Sequence, residues 1–221
     1  MSHRISKQRL KHDEFSEDMV RTIAFLKRYS TEVLAVSIGV LVIVVGLIFM
    51  AQNRAKSERE AGLQLNAAHG ALMAGNFQQA LEGYKEISSR FGSTGAGQEA
   101  LAYLGNLSFQ QRNVPEAQKY YQSCLKANPK NPLILSAALS GLAACAEQNG
   151  DLVQAGGKYL EVASRLPKEE YLATQALLAA GRCFIAANAA DRAKAAYQRI
   201  VDLYPESPAL AEAKAALSML P

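Results

Sequence analysis

Four alanines at near-equal intervals constrain this chain more than any other feature. Ala80, Ala117, Ala155 and Ala193 are separated by 37, 38 and 38 residues, and four residues after each comes a tyrosine: Tyr84, Tyr121, Tyr159 and Tyr197. Twelve residues before each alanine stands Ala68, Gly105, Ala143 or Gly181. Five before stands Gly75, Arg112, Gly150 or Asn188, and twelve after stands Gly92, Pro129, Pro167 or Pro205. Agreement at so many offsets marks an internal repeat, and a fixed period of this size signals a stacked array.

Physical chemistry accounts for the residue type at each offset. A small residue twelve positions before the alanine lets two antiparallel helices approach closely. A Gly or Asn between them can take the left-handed conformation that ends a helix. The alanine is expected to face that first small residue, and the tyrosine one turn on to fill the gap toward the next repeat. The closing proline stops the second helix and redirects the chain. One hairpin cannot bury its apolar stripe alone, whereas stacked hairpins can. The expected fold class is therefore all-α: an apolar N-terminal helix, an α-solenoid of four helix hairpins and a C-terminal capping helix.

The segments GNLSFQQRNVPEAQKYYQSCLKANP (105–129) and GRCFIAANAADRAKAAYQRIVDLYP (181–205) resemble the tetratricopeptide repeat, a helix–turn–helix unit of about 34 residues. Two departures stand out. Gln64, Leu101, Leu139 and Leu177 replace the usual aromatic near the start of the first helix, and the period is three or four residues longer. The units fall at 61–94, 98–131, 136–169 and 174–207, together 61–207, with 208–221 as the cap. What the resemblance implies is a concave face lined by the first helices and used for protein binding. In this register the groove residues are Leu65, His69, Leu72 and Met73 from the first unit, and Ala102, Asn106, Phe109 and Gln110 from the second. The third supplies Ser140, Ala144, Glu147 and Gln148, and the fourth Leu178, Arg182, Ile185 and Ala186. The mixture suits extended or helical protein segments. A clamp for a terminal carboxylate is not expected, since only Asn106 and Arg182, in distant units, have the right chemistry.

Upstream, residues 33–51 (VLAVSIGVLVIVVGLIFMA) carry no charge and no proline. A run of about 20 apolar residues crosses the hydrocarbon core of a bilayer as a helix. Gln52, Asn53 and Arg54 follow directly, without a small-x-small cleavage site, which favours a retained anchor over a cleaved signal peptide. Arg4, Lys7, Arg9, Lys11, Arg21, Lys27 and Arg28 precede the run; Arg54, Lys56 and Arg59 follow it. That asymmetry places the N-terminus in the cytoplasm and the repeats outside. In a bacterial cell this means a single-pass inner (cytoplasmic) membrane protein with periplasmic repeats. Residues 52–60 are expected to continue the membrane helix as a connector. In the leader, 1–32, residues 1–12 read as unstructured. Residues 14–29 read as an amphipathic juxtamembrane helix with Phe15, Met19, Ile23 and Leu26 on one face, which lies on lipid, docks on a partner or extends the span. Self-assembly through the span is a further expectation: Gly39 and Gly46 are seven apart, although no G-x-x-x-G occurs.

Charge excludes one class of partner. Beyond the span, seventeen basic and fifteen acidic residues are evenly mixed, whereas nucleic-acid binding needs a basic face. Metal and cofactor sites are not expected. Cys124, Cys145 and Cys183 each sit in an apolar helical pattern as buried fillers, at least one of them unpaired, and His3, His12 and His69 are scattered far from them. No phosphate loop, H-E-x-x-H or G-x-S-x-G is present, so no enzyme is expected. Lys168, Glu169 and Glu170 read as a solvated turn.

The whole plan of basic leader, single span and repeats to the end is similar to the YfgM-like ancillary subunits of the bacterial SecYEG translocon. That resemblance implies binding to the translocon and to periplasmic chaperones, with transient apolar contact to newly exported chains. The alternative is a structural or regulatory scaffold of a cell-envelope complex serving outer-membrane assembly, cell-wall synthesis or secretion.

Overall fold

The computed structural model describes residues 19–24, 27 and 30–221. The described residues are helical with no strand. Residues 19–24 and 27 are helical; the rest of the leader helix expected over 14–29, and the segment 1–12, lie outside the described residues. Helix α1 runs Ser30–Met73 without a break. It is followed by α2 (Phe77–Arg90), α3 (Gly95–Gln110), α4 (Val114–Lys126) and α5 (Pro132–Gln148). Then come α6 (Leu152–Arg165), α7 (Glu170–Ala186), α8 (Ala190–Leu203) and α9 (Ala209–Ser218).

The chain falls into two compact units divided between Ala55 and Lys56. In the first, every described side chain of α1 from Leu34 to Ala55 is exposed. An 18-residue window of this helix has a mean hydropathy of 2.9, with none of it buried. A helix that is apolar all round and packs against nothing is suited to lipid. By length and composition it is a candidate membrane span.

The second unit is a series of hairpins. Four turns of three residues join first to second helices, and all four use the same device. Gly75, Arg112, Gly150 and Asn188 have φ of 80°, 61°, 82° and 56°. The residue after each donates its N–H back five positions: Asn76 to Ala71, Asn113 to Ser108, Asp151 to Ala146 and Ala189 to Phe184, at 2.8–2.9 Å. This is the Schellman arrangement, which satisfies carbonyls that a helix end otherwise leaves unpaired. The extra length of the repeat sits in the first helices. Helices α3, α5 and α7 have 16, 17 and 17 residues against 13, 14 and 14 in their partners α4, α6 and α8.

The tyrosines serve their own hairpin as well as the next. A methyl on Gly105, in the first helix of the same repeat, would meet the Tyr121 ring, and so would one on Gly141 of the following repeat. Gly181 stands in the same relation to Tyr197. The residue over the small position is thus the tyrosine, where the sequence pattern suggested the alanine. An aromatic ring spans a wider gap than a methyl, so it wedges against both neighbouring first helices. In the first repeat the close approach is Ala68 against Gly83. Ala80, Ala117, Ala155 and Ala193 are all fully buried, and the apolar clusters run across repeat boundaries. Glu58 adds a polar tie, its carboxylate accepting from the N–H groups of Gly95 (2.9 Å) and Ala96 (3.1 Å) at the start of α3.

Candidate functional site

Successive first helices α3, α5, α7 and the cap α9 touch one another. Among the described residues, successive second helices make almost no such contact. Shorter spacing on one side than the other curves a stack toward the first helices. Between α3 and α5 this inner side opens into a hollow of about 270 Å³. Glu99, Ala102, Tyr103 and Asn106 of α3 form one wall; Asn131, Leu133, Ile134 and Ala137 form the other.

Local structure fixes the polar groups of this hollow. Asn131 caps α5, its Oδ1 accepting from the Leu133 N–H at 2.9 Å, and Pro132 occupies the first turn where no N–H is needed. Asn106 Oδ1 accepts from the Tyr121 hydroxyl at 2.8 Å. Burial pushes the Tyr121 hydroxyl pKa up, so it stays a donor. Both asparagines have their oxygens engaged, and among the described residues their NH2 groups donate to no partner. Leu133 is 65% exposed, an apolar side chain offered to solvent at the rim.

Next to the hollow lies an aromatic cluster. The Tyr84 and Tyr103 rings stack at 5.3 Å, and the His69 ring meets Tyr103 edge-on at 4.6 Å. Tyr84 is fully buried, and desolvation, reinforced by Tyr103 and Glu99, raises its pKa to about 12. Its hydroxyl and the His69 Nε2 are buried atoms with no hydrogen-bond partner among the described residues.

The residues expected to line the groove divide into three groups. Leu65 and Leu178 are 6% and 2% exposed and belong to the core, and Ala102 is buried while still forming part of the hollow's wall. Leu72 and Phe109 pack partly buried against apolar clusters, and His69, Ser140 and Ala144 are half-buried. Met73, Asn106, Gln110, Glu147, Gln148, Arg182, Ile185 and Ala186 are exposed, and Glu147 accepts from the Tyr159 hydroxyl at 2.7 Å. Of the expected set, the hollow brings together Ala102 and Asn106. It adds Glu99, Tyr103, Asn131, Leu133, Ile134 and Ala137, which sequence reasoning missed. Glu99 and Tyr103 lie seven and three residues before Asn106, so stepping back along the helix face from Asn106 would have found them.

The three cysteines are buried and free. Burial raises the pKa of Cys124 and Cys183 to about 11 and that of Cys145 in the same direction, so all three are weak nucleophiles. Among the described residues no group of His, Cys, Asp and Glu is placed to hold a metal ion.

The sequence profile of the tetratricopeptide repeat-like domain matches residues 24–217. Among solved structures, the crystal structure of a tetratricopeptide repeat protein from Parabacteroides merdae is similar, with a TM-score of 0.56, 20% sequence identity and 74% of this chain covered. This chain spans 59% of the length of that one, and at this identity the likeness is one of fold. Among curated proteins none matches in sequence.

Proposed function

This chain belongs to the tetratricopeptide repeat-like domain family, and on that premise we propose that it is a membrane-anchored, non-enzymatic module whose first-helix face holds segments of other proteins. The observation that carries this reading is the hollow between α3 and α5, where apolar wall residues alternate with unspent amide donors. Extended chains carry one carbonyl acceptor per residue, and amide donors beside apolar walls match that pattern. The exposed apolar helix supplies the anchor.

We further propose that the repeats face the periplasm and that the partners are chains leaving the Sec translocon, together with periplasmic chaperones. Support comes from the basic residues crowding the N-terminal side of the span and from the likeness of the overall plan to YfgM-like translocon subunits. Purification of the tagged full chain in mild detergent should recover translocon components. A controlled purification that recovers none removes the translocon assignment, and a membrane-impermeant thiol reagent that fails to reach cysteines placed at Gln122 or Lys194 in intact spheroplasts removes the orientation.

A further inference from the structure

Glu99 is the one acidic residue in the wall of the α3–α5 hollow, and no Lys or Arg shares that wall. Its side chain is 34% exposed. Among the described residues its carboxylate has no hydrogen bond, and the nitrogen within 4.0 Å of it is the His69 Nε2 at 3.9 Å, too long for a hydrogen bond. A partly buried carboxylate in this condition has lost water without gaining a partner, and an arriving cation with N–H donors restores what is missing. The surroundings fit the rest of such a group. Tyr103 lines the same cavity and offers its ring edge and apolar carbons to such a side chain. Leu133, Ile134 and Ala137 opposite offer an apolar surface to a methylene stem. At about 270 Å³, the hollow lies below the roughly 300–1,000 Å³ of small-molecule pockets and suits a single side chain.

We propose that this hollow takes a Lys or Arg side chain of the bound segment, with Glu99 as counter-ion and Tyr103 and Ile134 flanking its stem. The inference rests on the reading of the first-helix face as a binding groove and adds a preference within it: segments carrying a basic residue are held in register at the second and third repeats.

The test uses the full chain in detergent micelles and acetylated, amidated peptides of one alanine–leucine sequence with Arg, norleucine or Glu at the centre. Fluorescence anisotropy should give the Arg peptide an affinity about fivefold above the norleucine peptide, a partly exposed ion pair being screened by solvent, and should rank the Glu peptide last. Glu99→Gln, which removes no hydrogen bond, should abolish the Arg advantage over norleucine; Glu206→Gln, on an exposed turn, should leave that advantage and norleucine binding unchanged. Equal affinity for Arg and norleucine, or an Arg advantage that survives E99Q, overturns the inference while the groove reading stands. No binding of any peptide overturns the groove reading and the inference with it.

Discussion

Replacing Gly141 by alanine isolates the packing device that sets the repeat spacing. A methyl there would lie under 3.0 Å from three carbons of the Tyr121 ring. The ring is 2% exposed and tied to Asn106 through its hydroxyl, so it has little room to retreat. Overpacking of this kind costs about 1–3 kcal/mol, and losing the Tyr121–Asn106 hydrogen bond costs about 1 kcal/mol more. Alanine returns about 1 kcal/mol of helix propensity over glycine. The net loss is about 1–3 kcal/mol, which for a unit of this size lowers Tm by about 2–12 °C. Gly157, exposed within α6 with nothing within 4 Å of its would-be methyl, is the control. There the same substitution should raise Tm by about 2–4 °C. Thermal melts of the full chain in detergent, followed by far-UV circular dichroism, read both. In a Tyr121→Ala background the penalty of Gly141→Ala should vanish. The reasoning fails if Gly141→Ala stabilises as Gly157→Ala does, or if its cost persists without the ring.

Arg112 holds a left-handed conformation that its three counterparts assign to Gly or Asn, so Arg112→Gly should stabilise the chain by about 1 kcal/mol in chemical denaturation, and Gly150→Ala should destabilise it by a similar amount. Iodoacetamide at pH 8 should leave all three thiols of the folded chain unmodified, because each is buried with a raised pKa, and should alkylate all three after unfolding, as counted by mass spectrometry. Tyr84 titrates near 12 in the folded chain against an ordinary 10, so the folded state holds this proton more tightly than the unfolded state. Its contribution to stability is complete below pH 10 and is lost as pH rises from 10 through 12. Phenolate absorbance should therefore lag in the folded chain and rise together with alkaline unfolding.

The repeat offsets made the hairpins readable before any coordinates. A residue five positions before each alanine reports a left-handed turn whether it is Gly75, Arg112, Gly150 or Asn188, because local backbone geometry recurs with the period. What the tyrosines touch was not readable in the same way. Gly141 occupies an offset held elsewhere by Asn66, Tyr103 and Ala179, so its fit against Tyr121 is a property of one junction and not of the repeat. The groove register was obscured for a related reason. First helices pack against their own partner and against the next first helix, so α5 and α7 are apolar around most of their circumference. An apolar stripe that wide does not say which edge faces solvent. Leu65 and Leu178 look like groove residues in such a pattern and are core; Glu99 and Tyr103 look like incidental polar positions and line the hollow.

Photo-cross-linking from the two faces of the stack tests most directly whether the first helices receive other proteins. Photoreactive residues at Asn106 and Ala137 mark the hollow, and residues at Gln122 and Lys194 mark the second helices. In intact cells the hollow positions should capture polypeptides that the second-helix positions do not, and competition with a bound peptide should suppress that capture. Equal capture from both faces, or capture from the second helices alone, would contradict the account.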